Sequence, residues 1–591
     1  MSVVLHGIPI GGGIAIGKAH LLRQGMDDVP QYSVPPEKIA DEIARFDEAL
    51  RKSQAQLDAL RRNIPDNSVN ELSAFIYLHA MLLSDATLSR APADLIREKG
   101  VNAEWALKLQ VDRLSEQFDQ IEDEYLRERK QDMTQAVERV FKNLKGMSND
   151  MPQGELLEDT ILVATDLSPA DTVYLKDNQI AAFVTDQGGP SSHTAILGRG
   201  IDIPSVIALR RGRELIKEDE WIIVDGEDGV VVLAPTEDII SEYRERALEH
   251  MQAKRKLRRL KTASAETIDG VGVEILANIE SVDDAAQAVK NGAAGVGLFR
   301  SEFLFLNRDE MPDEEEQYAQ YAKVIKKMGG KPVVIRTVDL SADKNPRWFS
   351  HGSSSPNPAL GMTGIRLCLA EPAMFRSQMK AILRAAVFGP TRMMWPMISS
   401  LTEIRQCMAH LETAKDQLRA ERKEFDEEVG FGIMIETPAA ALSIASMLKM
   451  VDFVSIGTND LIQYTLAVDR GNDQVSHMYQ PTHPVVLKLI QHVIKAANKI
   501  GKPVSVCGEM AGDPNLTRVL MAIGLRRFSM HPPRILAVKS RVISTDLSQI
   551  ENAIQRLVRL NDDPEKSLEM TEKFNAMNFE PNPDLDDSNQ P

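Results

Sequence analysis

VEILANI (273–279), GVGLFR (295–300), PVVIRTVD (332–339), RMMWPMIS (392–399), FGIMIE (431–436), FVSIGTND (453–460), PVSVCGE (503–509) and RRFSMH (526–531) punctuate the second half of the chain. Each is a short, nearly continuous apolar run, the signature of a parallel strand buried on both faces, and helix-length segments separate them. Eight such β/α units in roughly 250–290 residues are what a TIM barrel requires. Val271 to about Leu557 is therefore expected to form a (β/α)8 barrel.

The ends of these runs carry the chemistry. They finish at or near Asn278, Arg300, Arg336, Met397, Glu436, Asn459, Asp460, Cys507 and Ser529, and Arg470 follows ten residues after Asp460. The C-terminal strand ends of a TIM barrel form its active-site face. A single arginine at a strand end reads equally well as a surface ion pair, but the whole set on one rim reads as a site. Arginines offer forked donors matched to carboxylate and phosphate oxygens. Glu436 and Asp460 are hard oxygen ligands suited to Mg²⁺, and Cys507 is a candidate acid for a carbon centre. The pocket fits a small phosphorylated carboxylic acid that becomes, or ceases to be, an enolate.

Outward from the barrel the pattern changes. Val3 to about Leu22 alternates around a Gly-rich turn and reads as a strand pair. From Glu37, Ile39, Ile43, Phe46, Leu50, Leu57 and Leu60 fall on one helical face, and further helices are expected over 73–90, 103–122 and 124–144, together a four-helix bundle. ILVAT, AAFVTD, IIVDG and VVVLA then mark an α/β layer. The expected organisation is multidomain α/β: a swivelling α/β domain at 1–30 and 146–236, an inserted helical domain at 31–145, a charged helical linker and hinge at 237–262, the barrel at 263–560 and a disordered tail at 561–591.

A second constellation is Gly188-Gly189-Pro190-Ser191-Ser192-His193-Thr194-Ala195. The glycines and proline make a tight turn, and Ser191 or Ser192 is placed to cap a helix. His193 in the first helical turn is kept neutral by the helix dipole and is a nucleophile poised among free N–H groups. Taken alone, a locally bonded helix-start histidine is the simpler reading; beside the barrel pocket the nucleophile is preferred.

Bulk properties narrow the classes. The formal charge, 69 − 86 = −17, disfavours binding to nucleic acid or to anionic membranes and suits a basic partner. No apolar run approaches the ~18 residues of a membrane span, and no secretory signal is apparent. Cys368, Cys407 and Cys507 form no CxxC pair. A soluble, cytoplasmic enzyme is expected.

GGPSSHTAILGRG resembles the phosphohistidine motif of the phosphoenolpyruvate-utilising enzymes. GVGLFRSEFLF, IETPAA, SIGTNDLIQYTLAVDRGND and VCGEMAG resemble the barrel motifs of the enzyme I family of the bacterial sugar phosphotransferase system, and the match runs from GIPIGGGIAIGKA to about Arg534. The resemblance implies that His193 is phosphorylated through Nε2. It implies that Arg300, Arg336, Arg470 and Asn459 hold phosphoenolpyruvate, with Asp460 beside them, that Glu436 and Asp460 bind Mg²⁺, and that Cys507 protonates the enolate to pyruvate. The implied partner is the histidine-containing carrier HPr, docked on the helical domain near His79, in a protein that is a homodimer through the barrel.

Two departures stand out. Pro190 replaces the arginine usual in the phosphohistidine motif, and Thr363 stands where a substrate-holding arginine is expected, a loss worth ~1.5–3 kcal/mol. Arg366, one helical turn on, is the nearest replacement. Thr363 is the feature that supports an alternative, a catalytically weakened regulatory paralogue that binds carrier proteins. A dikinase or synthase relative would need a nucleotide-binding domain, for which no Gly-rich phosphate loop is found before Glu155.

Overall fold

The computed structural model describes residues 2–22, 26, 29–63, 70–119, 124–146, 159–167, 171, 175, 180–189, 194–195, 198, 203–306, 308, 310–340, 357–470, 475–560 and 563–579. The chain divides into two compact units, Met1–Lys254 and Arg255–Pro591.

The first unit is built on an eight-stranded sheet of order β1-β8-β7-β3-β4-β5-β6-β2. Its strands are β1 (Val3–His6), β2 (Ile8–Gly11), β3 (Ile14–Leu21), β4 (Thr160–Ala164), β5 (Ala182–Thr185), β6 (Ser205–Ile207), β7 (Trp221–Asp225) and β8 (Val230–Leu233). Ile161 and Val163 pack on one face while Leu162 and Ala164 pack on the other. Burial on both faces explains the unbroken apolar runs. The N-terminal strands were expected to pair with each other, and they do not. β1 joins β8, β2 joins β6, and β3 lies between β4 and β7. Pro9 lacks an N–H to donate, which suits β2 to the sheet edge it occupies.

β3 and β4 are parallel neighbours, Lys18 opposite Thr160, and the helices lie in the crossover between them. The long members are α1 (Ile39–Asn63), α2 (Asn70–Ser84), α5 (Ala103–Asp119) and α6 (Glu124–Leu144). The stretch 73–90, expected as one helix, breaks at Asp85. Its carboxylate accepts the Thr87 amide at 2.8 Å and starts the short α3 (Ala86–Ser89), and Pro92 then opens α4 (Ala91–Lys99). Phe46, Leu57, Leu83, Ile96, Val137 and Phe141 form the bundle core. Arg45 ties it, donating to Glu42 and Glu104, each at 2.7 Å.

In the second unit β9 (Glu274–Ile279), β10 (Val296–Arg300), β11 (Val333–Arg336), β12 (Thr391–Trp395), β13 (Gly430–Ile435), β14 (Phe453–Ile456), β15 (Val504–Val506) and β16 (Arg527–Met530) close into a parallel barrel. Ile275, Ala277, Ile433, Ile435, Val454 and Ile456 pack with the main hydrophobic core, while Leu298, Met394, Met434, Phe453 and Cys507 form a separate cluster. Alternation along each strand separates the two sets.

The expected disorder over 561–591 is corrected for residues 563–579, while 561, 562 and 580–591 lie outside the described residues. Pro564–Ala576 is a helix capped by Asp563, which accepts the Glu565 amide at 3.0 Å. Ser567, Thr571 and Phe574 recur on its buried face. Its end is held by Arg518, a buried guanidinium that donates to the carbonyls of Phe574 at 2.7 Å, Asn575 at 3.1 Å and Met577 at 2.8 Å. Asp563 and Pro564, of the residue types that suggested disorder here, act as cap and first-turn residues.

Candidate active site

Period two along the strands decides what reaches the barrel mouth. Arg336 follows Val334 and Glu436 follows Met434, each two residues on along its strand, so they share a face with side chains that pack in or against the inner cluster. Cys507 completes the set at the end of β15. Ser529 Oγ donates to Asn278 Oδ1 at 2.6 Å, and Asn278 Nδ2 donates to the Cys507 carbonyl at 2.8 Å, so three strand ends are tied together beside the thiol.

Arg336 is buried, and both of its terminal nitrogens are engaged while its Nε has no hydrogen-bond partner among the described residues. Nη2 bonds Glu302, and Nη1 bonds Asp339 at 2.6 Å and Met434 Sδ at 3.6 Å. Burial works against its charge, but Asp339, Glu302 and Glu436 outweigh that and raise its pKa. Arg300 Nη1 donates to Glu280 Oε1 at 2.8 Å. Asn459 and Glu509 face each other: the Glu509 amide donates to Asn459 Oδ1 at 2.8 Å and Asn459 Nδ2 donates to Glu509 Oε1 at 3.3 Å.

The carboxylates crowd. Burial, then Asp339 and Asp460, push the Glu436 carboxyl well above its usual range against the pull of Arg336. Burial and Asp339 likewise raise Asp460, opposed by Arg470, Arg336 and Arg300. Glu436 Oε1 accepts the amide of Met397, a residue held at φ 53°, while its buried Oε2 has no hydrogen-bond partner. A non-glycine residue in that region carries strain that the fold must support. An orphaned carboxylate oxygen, facing other acids, fits a hard divalent cation. Among the described residues no three His, Cys, Asp or Glu side chains form a complete cage.

Cys507 is buried, and burial pushes its thiol up to about 11, so it is protonated at neutral pH. Its Sγ lies 3.6 Å from the Ile456 carbonyl. Two glycines make room nearby. A Cβ on Gly508 would stand 1.9 Å from Thr458 Oγ1. One on Gly364, itself at φ 53°, would stand 2.8 Å from Met397 Cβ and 2.9 Å from Asp339 Oδ1.

The barrel thus brings Asn278, Arg300, Arg336, Glu436, Asn459, Asp460 and Cys507 to one end, with Arg470 acting on Asp460 and with Glu436, Arg336 and Arg300 acting on Cys507. Sequence reasoning missed Glu302 and Asp339, which hold Arg336. Asp339 closes the run PVVIRTVD and Glu302 follows Arg300 by two, so proximity to strand ends was the available signal. Arg366, the nearest replacement for the missing arginine, donates through Nη1 to the carbonyls of Leu360 and Gly361, both at 3.1 Å, and its charge acts on Tyr464. His79 is buried rather than presented, while Tyr77 and Met81 on α2 are exposed.

His193, with Pro190, Ser191 and Ser192, lies outside the described residues. The next residue, Thr194, is buried, and its hydroxyl donates to Asp166 Oδ1 at 2.7 Å just beyond β4.

Three family models match the chain: "PEP-utilising enzyme, N-terminal" over residues 6–129, "PEP-utilising enzyme, mobile domain" over 156–229 and "PEP-utilising enzyme, PEP-binding domain" over 254–547. The chain is 45% identical to a phosphoenolpyruvate-protein phosphotransferase of Cupriavidus necator over 577 residues, covering 96% of this chain and 98% of that one. It is 38% identical to proteins of the same description from Bacillus sp. (strain S), over 91% of this chain and 92% of the relative, and from Staphylococcus epidermidis, over 94% and 97%.

Proposed function

Because this chain belongs to the phosphoenolpyruvate-utilising enzymes, we propose that it is a phosphoenolpyruvate-protein phosphotransferase that carries the phosphoryl group on His193. The observation that carries the reading is the barrel mouth, where arginines, two crowded carboxylates and a protonated thiol meet.

In this reading Arg300, Arg336, Arg470 and Asn459 bind the carboxylate and phosphate of phosphoenolpyruvate. The ligand releases Arg336 and Arg300 from their present carboxylate partners in exchange for its own oxygens. Glu436 and Asp460 hold Mg²⁺, which when bound neutralises charge on the transferring phosphoryl group. The His193 imidazole nitrogen attacks phosphorus in line: the N–P bond forms, the P–O bond to the enol oxygen breaks, and the electron pair leaves with the enolate. Cys507 gives its proton to the enolate carbon, yielding pyruvate, and its thiolate regains a proton from water. Burial that keeps the thiol protonated suits this role. His193 belongs to the α/β sheet unit and the pocket to the barrel, so the reading requires that the imidazole travel between the two sites it serves. The helix Glu237–Arg259 between sheet and barrel is the proposed hinge.

The acceptor is the small carrier HPr, and through it sugar uptake. The exposed Tyr77–Met81 face of α2 and the formal charge of −17 support docking of a basic partner on the helices. Leu360, Met362, Leu442 and Met478 are exposed apolar side chains of the barrel unit. Their exposure supports a homodimer that would cover them. No helix among the described residues is long and apolar enough to cross a membrane, and all three cysteines are free thiols. We place the protein in the cytoplasm.

Intact mass before and after phosphoenolpyruvate with Mg²⁺ tests the proposal. One acid-labile phosphoryl adduct on His193, absent from His193→Ala and discharged by HPr, is expected. Persistent labelling of His193→Ala would remove the central assignment.

A further inference from the structure

The opposite rim of the barrel carries a groove of different chemistry. It opens beside the starts of β9, β15 and β16 as a shallow, solvent-open depression of about 460 Å³, a volume within the range of small-metabolite sites. Lys502 precedes β15 and Cys507 follows it, so the three residues of that strand separate the groove from the mouth. Gly501 lies in its wall, with no atom within 4 Å of where a Cβ would stand.

Lys502, Arg526 and Arg527 charge the groove, and Glu274 is the one acid lining it. Glu274 is already committed: its oxygens accept Arg527 Nη2 at 3.0 Å and Nε at 2.9 Å, a bidentate pair that cancels that guanidinium. Two cations remain. Lys502 has Asp452 only at 3.9 Å. Arg526 has no carboxylate within ion-pair distance among the described residues; its Nη1 donates instead to the carbonyls of Met521 at 2.7 Å and Leu525 at 2.8 Å. Held this way the guanidinium is oriented, and the carboxylates that act on its charge, Glu551 and Asp269, do so from beyond ion-pair distance. Half-burial raises the cost of leaving it without a close counter-charge. A forked guanidinium beside a mobile ammonium is the donor set that phosphate oxygens favour.

We propose that this groove binds a phosphate dianion, free or as the monoester of a small metabolite, between Arg526 and Lys502. Equilibrium dialysis of the full chain with labelled inorganic phosphate tests it. The mouth arginines also attract phosphate, so Arg336→Gln supplies the background in which the groove is read. In that background, Lys502→Gln and Arg526→Gln, introduced separately, should each raise Kd roughly ten- to a hundredfold. Lys502 is partly exposed and makes only the long contact to Asp452, so Lys502→Gln keeps the test decisive even where Arg526→Gln unfolds. Displacement by glycerol 3-phosphate at lower concentration than by phosphate itself assigns the groove to esters; displacement only at equal or higher concentration assigns it to free phosphate. Saturable binding that is unchanged in folded Lys502→Gln, or no saturable binding in the Arg336→Gln background, would overturn the proposal.

Discussion

Cys507 should be among the least reactive thiols a solvent reagent can meet, and the reason is quantifiable. Its side chain is 2% exposed, and burial lifts the thiol from an ordinary 9.0 to about 11, with Glu436 adding to the rise and the Ser455 contact and the two arginines opposing it. Two pKa units mean roughly a hundredfold less thiolate at any pH below 9, and only thiolate reacts with an alkylating agent. Peptide-resolved alkylation by iodoacetamide distinguishes Cys507 from the buried Cys368 and Cys407. The Cys507 rate at pH 7 is expected at least a hundredfold below that of free cysteine and should climb about tenfold per pH unit through pH 10. The same shift has a stability sign. Between about pH 9 and 11 the unfolded thiol has lost a proton that the folded one keeps, so this contribution is complete below pH 9 and fades by roughly 3 kcal/mol as pH rises to 11. The extra loss of Tm over that window, relative to Cys507→Ala, measures it. A Cys507 rate that levels off below pH 9 would refute the argument and with it the use of this thiol as a neutral-pH proton donor.

Tyr464 donates to the Ala359 carbonyl at 2.6 Å and stands among Asp460, Glu436 and Asp339, its own phenol pushed to about 12 chiefly by burial. Tyr464→Phe should free the loop that carries Thr363, raising KM for phosphoenolpyruvate about three- to tenfold with kcat within twofold. Glu436→Gln removes the carboxylate with the orphaned oxygen, and the Mg²⁺ concentration for half-maximal activity should rise more than about tenfold. Gly508→Ala should lose most turnover and lower Tm, because the added methyl would stand 1.9 Å from Oγ1 and 2.8 Å from the backbone nitrogen of the buried Thr458 and must displace the start of the helix that carries Asn459 and Asp460. Arg518→Met removes the donor from the carbonyls of Phe574, Asn575 and Met577, and from that of Ser544. Hydrogen exchange should then accelerate across 564–577, by an amount equivalent to roughly 2–4 kcal/mol, with little change in β9–β16.

The barrel and its rim were legible from local pattern alone. Burial on both faces writes itself into each strand as a continuous apolar run, and the fold rule then converts strand ends into a site, which is how Arg336, Glu436 and Cys507 could be named together. Pairing is not written locally. β1, β2 and β3 each carry enough apolar surface to pair with several partners, and distant strands, from Thr160 to Leu233, decided the outcome. Charge is equally nonlocal: Glu302 and Asp339 look like ordinary acids until folding strips their water and sets both against Arg336. The C-terminal helix makes the same point in reverse, since polar composition argued for disorder and a buried Arg518, some fifty residues upstream, supplied the partner that orders it. Periodicity reports which face of a segment leaves water. Which neighbour covers that face, and what field a buried charge then feels, depend on contacts that exist only once the chain has closed.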